Sequence, residues 1–104
     1  MAVFIMETRV SVESLRQPRS FEALERGVAA YLEKACPDVK WLGSYVTLGP
    51  YNYFDIFEAN NIEAAMQVSV LVGAYGHGET SVHPAVDWGQ FKHLVRNLPE
   101  LPPV

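Results

Sequence analysis

The chain has 104 residues, 49 % of them apolar, with eight Lys and Arg against twelve Asp and Glu and a formal net charge of −4. That is enough for one domain with a modest core and too little for two. The basic residues are scattered, so neither a nucleic-acid backbone nor an acidic membrane surface is an expected partner.

Cys36 is the single cysteine. It has no partner for an intrachain disulfide and fits no Cys/His zinc spacing, and a reducing cytoplasm suits it. The opening MAVFIMETRV is apolar, but Glu7 interrupts it. It lacks a basic leader and a small-residue cleavage site, so it does not read as a signal peptide. The longest apolar stretch, 68–74, is far below membrane-spanning length.

In chain order, the β-branched and apolar run Val3–Val10 predicts a first strand. A connector follows over 11–19, with a helical turn expected at 12–16. Ser20 is expected to cap a helix reaching Ala35, because Phe21, Leu24, Val28, Tyr31 and Leu32 recur at three- and four-residue spacing. Pro37 ends it. Val39–Leu48 and Asn52–Glu58 read as two strands joined by a tight turn at Gly49-Pro50. Asn60 with Glu63 makes a capping-box spacing for a second helix, Ile62–Tyr75, which is apolar almost all round and is expected to be buried on more than one side. Gly76 suits its C-terminal cap. Thr80–Val86 is the fourth strand. Asp87 with Gln90 repeats the capping signal, and Trp88, Phe91, Leu94 and Val95 form one stripe of a third helix ending near Leu98. Pro99–Val104, with three prolines, is an extended tail.

The order β-α-β-β-α-β-α predicts an α+β fold of ferredoxin-like βαββαβ type with an extra C-terminal helix on an antiparallel sheet. One domain covers 1–98 and the tail covers 99–104. Alternation along the middle strands separates Trp41/Tyr45 and Tyr53/Asp55/Phe57 from Leu42/Val46 and Phe54/Ile56. The aliphatic sets are expected to face the helices. The aromatic sets then line a helix-free face too apolar for water, which marks a dimer interface or a ligand groove.

The segment from Trp41 to Ala59, with Gly49, Tyr51 and Asn52 at its hairpin, resembles the GYD-domain family, named for a Gly-x-Tyr-Asp hairpin. Here Asn52 stands where the family has Asp. The resemblance continues through Ala64-Ala65, Gly76-His77 and His83–Trp88, over roughly residues 3–96. It implies a fold related to dimeric α+β barrels, in which two sheets pack face to face, and it supplies no reaction.

Several side chains bear chemistry. Asp55 interrupts an apolar strand, and a buried carboxyl without a partner has its pKa raised into the range of a general acid or base. Arg9, Lys40, His83 or a tyrosine is the expected partner, and Glu7 is a candidate for a dyad with Asp55. The more ordinary reading of Asp55 is a structural hydrogen bond. His77 and His83 are six residues apart, about 20 Å in a strand, so any metal site would need Glu79 or a second subunit. Tyr45, Tyr51 and Tyr53 suit an aromatic ligand and are also common strand residues.

The expectation is thus a homodimer, or a higher homo-oligomer, binding a small organic ligand in a sheet or dimer groove lined by Trp41, Tyr45, Tyr53, Asp55, Phe57 and His83, with no cofactor and no metal. The alternative is a cofactor-free monooxygenase- or isomerase-like enzyme in which Asp55 and a histidine move a proton. A third reading is an assembly protein that uses its tail to form higher oligomers.

Overall fold

Strand β1 (Ala2–Val10) alternates cleanly: Phe4, Met6, Thr8 and Val10 are buried, while Val3, Ile5 and Glu7 are only half-buried. In this computed structural model, which describes residues 1–10, 17–47, 52–76 and 78–103, that alternation sets the faces of the whole sheet. The expected turn at 12–16, the Gly49-Pro50 turn and the hairpin residue Tyr51 lie outside the described residues.

The remaining elements are α1 (Phe21–Ala35), β2 (Lys40–Val46), β3 (Asn52–Ala59), α2 (Ile62–Gly76), β4 (Gly78–Ala85) and α3 (Trp88–Arg96). The four strands are antiparallel in the order β2-β3-β1-β4. This is the ferredoxin-like arrangement expected of βαββαβ.

Two caps differ from expectation. A 3-10 turn at Pro18–Ser20 leads into α1, so Ser20 is already helical and its hydroxyl donates back to the Gln17 carbonyl at 2.7 Å instead of capping. At α2 the cap is Asn61, not Asn60: its Oδ1 accepts from the Ala64 N–H at 2.8 Å. Asp87 caps α3 as its spacing predicts, accepting from the Gln90 N–H at 2.7 Å.

Directly opposed residues of an antiparallel pair share a face. Phe4 stands opposite Phe57, Met6 opposite Asp55 and Thr8 opposite Tyr53. The core face therefore carries Phe57, Asp55 and Tyr53. Phe4, Met6 and Phe57 pack there against Leu32 of α1 and Ala65 and Val68 of α2. The face assignment expected from alternation is thus inverted on β3: Tyr53, Asp55 and Phe57 lie beneath the helices, and Phe54 and Ile56 lie on the open face. On β2 the assignment fails at Trp41 but holds for Tyr45 and Val46, and this mixture has a local cause. The register shifts between Trp41 and Gly43, so Leu42 is an extra residue. A bulge switches parity beyond it. Trp41 stays on the helix side, its ring tilted against that of Phe57 with centroids 5.2 Å apart. Ser44 then joins it opposite Asp55, while Tyr45 falls opposite Phe54 on the open side.

Helix α2 buries one side only. Ala65 and Val68 are inaccessible, whereas Ile62, Met66 and Val70 remain largely exposed, contrary to the expectation from its apolar circumference. Gly27 of α1 admits the Tyr75 ring of α2, which would collide with any Cβ there. No helix among the described residues is long and apolar enough to cross a membrane.

Candidate functional site

Helix α1 meets the sheet at one end. Leu32 and the following Cys36 are buried, but Phe21, Leu24 and Val28 are only half-buried. The N-terminal half of α1 leaves a cleft of about 680 Å³ over β1, β3 and the edge strand β2. That volume lies in the ordinary range for small-molecule sites, roughly 300–1,000 Å³.

Its walls are chiefly apolar: Val10 from β1, Leu24, Val28 and Leu32 from α1, Trp41 and Val46 from β2, and Val72 from α2. Phe21 meets Tyr53 edge-on at 6.3 Å at one side. Against this background three polar groups are set on adjacent strands. Ser44 Oγ donates to Asp55 Oδ1 at 2.7 Å. Burial pushes the Asp55 carboxyl above the ordinary carboxylate range, and the Ser44 hydrogen bond only partly opposes it. Thr8 is 6 % exposed, and its hydroxyl has no hydrogen-bond partner among the described residues. Burial also raises the Tyr53 phenol. Glu22 and Glu25 are also in the lining, which holds no Lys, Arg or His among the described residues.

Trp41, Tyr45, Tyr53 and Asp55 thus border one cleft, although Tyr45 belongs to the opposite face with its ring over Gly43. Phe57 is not in the lining; it is fully buried beneath Trp41 and Phe4. His83 is on the other face, opposite Ile5, with its Nε2 3.3 Å from Ser81 Oγ. The expected partners of Asp55 are displaced for the same reason. Arg9 and Glu7 alternate with the core-facing residues of β1 and point away from Asp55, so no Glu7/Asp55 dyad forms. Glu79 is exposed on β4, and His77 lies outside the described residues. No group of three metal-ligating side chains occurs among the described residues.

Thr8 and Ser44 were not anticipated. Thr8 shares the parity of Phe4 and Met6, a signal present in the strand pattern. Ser44 needed knowledge of the bulge.

An antiparallel β2-β3-β1-β4 sheet, two helices on one of its faces and a ligand-sized cleft beneath the first define a ferredoxin-like α+β domain with a helix-side cavity. The chain belongs to the GYD domain family, whose model matches residues 4–95. No curated protein matches the chain.

Proposed function

We propose that this GYD domain is a homodimeric binding module that holds a small, uncharged organic molecule with an apolar body and one hydrogen-bonding head. The observation that carries this reading is Thr8. A buried hydroxyl without a partner costs about 1–3 kcal/mol, and this one lines the same apolar cleft as the Asp55 carboxyl. A ligand hydroxyl or amide, which can donate to the carboxylate and accept from the threonine, would satisfy both. Asp55, Glu22 and Glu25, with no cation among the described lining residues, disfavour a carboxylate or phosphate head.

The homodimer is supported by the helix-free sheet face. Val3, Ile5, Phe54 and Ile56 share it, and no helix of the described chain covers them.

Trp41 lines the cleft and supplies the test. Titration with a naphthol should quench its emission saturably, and the matching naphthoate should bind far more weakly. Thr8→Val should weaken the naphthol by roughly five- to fiftyfold. Absence of saturable binding, or preference for the naphthoate, overturns the reading. A proton-transferring enzyme is the second reading, favoured by the raised Asp55 carboxyl beside Tyr53. Its histidine would have to come from elsewhere than His83, and loss of turnover in Asp55→Asn with retained naphthol binding would support it.

A further inference from the structure

The segment that follows α3 is held extended by its own covalent structure. Leu98–Pro103 reads Leu-Pro-Glu-Leu-Pro-Pro. Proline fixes its own φ at about −65° and keeps the residue before it out of the helical region. Leu98, Pro99, Leu101, Pro102 and Pro103 are all restrained in this way, and Glu100 is the exception. The run is therefore set for polyproline II, with about three residues per turn and about 3.1 Å per residue. In that helix Leu98 and Leu101 form one ridge, Pro99 and Pro102 the next, and Glu100 and Pro103 the third. The first two ridges make an uncharged apolar face, and Arg96, the last residue of α3, stands at its head. The whole segment is exposed, Leu98 at 52 % and Leu101 at 75 %.

Extended Pro-x-x-Pro segments are read by grooves walled with aromatic rings, and a cation beside the prolines asks for an acid at the groove. The cleft beneath α1 is a groove of that kind. Its rings are Phe21, Trp41, Tyr45 and Tyr53, with Trp41 and Tyr45 39 % and 62 % exposed. Glu22 already holds Arg26 at 3.2 Å, but Glu25 is exposed and makes no ion pair among the described residues. The smaller hollow beside Cys36 and Asn61 has no ring among its described lining, and the exposed row of α2, Ile62, Met66 and Val70, has neither ring nor acid. We propose that Leu98–Pro103 of one chain docks in the cleft of another, with its Leu-Pro face on the aromatic rings and Arg96 beside Glu25, and so competes with the small ligand. This rests on the reading of the cleft as a binding site and adds what regulates it. A chain's own segment is directed away from its own cleft. Helix α3 leaves β4 where Ala85 pairs with Val3, while the cleft lies over Thr8 and Val10, about 20 Å further along β1. No residue of α3 is buried, and the molecule is 56 Å along its long axis. Docking from a neighbour uses the helix side alone, so it leaves pairing through the helix-free sheet face intact. The contact is head-to-tail and joins dimers to one another, which makes ligand occupancy and that further assembly mutually exclusive.

Competition on the full chain tests this. Trp88→Phe leaves Trp41 as the only tryptophan, so emission reports on the cleft. A peptide spanning Arg96–Pro103 should displace bound naphthol, and the same peptide with Leu98→Ser and Leu101→Ser should compete at least roughly tenfold more weakly. The peptide with Arg96→Glu should lose its hold on this cleft and regain it on a chain carrying Glu25→Arg. Without peptide, naphthol should bind more weakly as protein concentration rises, and Leu101→Glu, at an exposed position, should remove that dependence. Naphthol that binds saturably but is not displaced overturns the docking and leaves the small-ligand reading standing. A peptide that quenches saturably where naphthol does not keeps the docking and sinks the small ligand. A naphthol affinity that does not vary with protein concentration overturns the contact between copies, and if Leu101→Glu nonetheless tightens it, the segment lies in its own cleft.

Discussion

Ser44 and Asp55 face each other across β2 and β3, with the serine hydroxyl donating to the carboxylate at 2.7 Å on the side the helices cover. One hydrogen bond is a small return for placing an acid beside Trp41 and Tyr53 under a helix. The carboxyl is correspondingly pushed up from its ordinary value.

Asp55→Asn should therefore stabilise the unliganded protein at neutral pH. In the unfolded chain this carboxyl titrates near the ordinary value, about 3.9. The folded chain holds the proton more tightly. Below both values the acid is neutral in both states and costs nothing. As pH rises through the unfolded value, only the unfolded chain gains by ionising, so stability falls until the folded value is passed and is flat thereafter. The amide cannot ionise and still accepts from Ser44. Thermal melts of the two proteins should coincide in strong acid and diverge above it, with the variant melting higher. A variant that melts lower at neutral pH would show that the carboxylate is well compensated.

Thr8→Val replaces an unpartnered hydroxyl with a methyl of nearly the same shape. It should raise the unfolding free energy of the apo protein by about 1 kcal/mol, while weakening the naphthol. Opposite signs for stability and binding are the mark of a group kept for a ligand. If both fall together, the hydroxyl has a structural role.

Phe57 and Phe54 are three residues apart and on opposite faces, which makes them a direct assay of the sheet's orientation. Phe57→Ala opens a hole between Phe4 and Trp41 and should cost about 3–5 kcal/mol in a denaturant titration. Phe54→Ala, measured at a dilution where the chain is monomeric so that assembly does not intrude, should cost markedly less. Equal costs would contradict the assignment of faces.

That pair also shows what the amino-acid order carried and what it withheld. The strands, helices and their antiparallel pairing follow from local periodicity and capping residues, and each was legible to within a few residues. The orientation of β3 was not. Tyr-Phe-Asp-Ile-Phe is apolar on both parities, so alternation cannot choose a face. The choice is made by partners in β1, where Met6 and Thr8 sit opposite Asp55 and Tyr53. The cleft was hidden for a related reason. Phe21, Leu24 and Val28 have the spacing of an ordinary core stripe, and only the lifting of α1's first turns converts them into a lining. Trp41, Tyr53 and Asp55 were expected on one face and do share one, on the helix side of the sheet.

Asp87 offers a separate handle on α3. Its carboxylate accepts from the Gln90 N–H at 2.7 Å, at the start of a nine-residue helix that no other element of its own domain buries. So short a helix is marginal by itself, and losing a cap costs about 1 kcal/mol. In Asp87→Ala, amide protons of 88–96 should exchange faster while those of β1 and β3 are unchanged, and Asp87→Asn, which keeps an acceptor, should behave almost as wild type. Faster exchange throughout β1 and β3 would instead tie α3 to the stability of its own core.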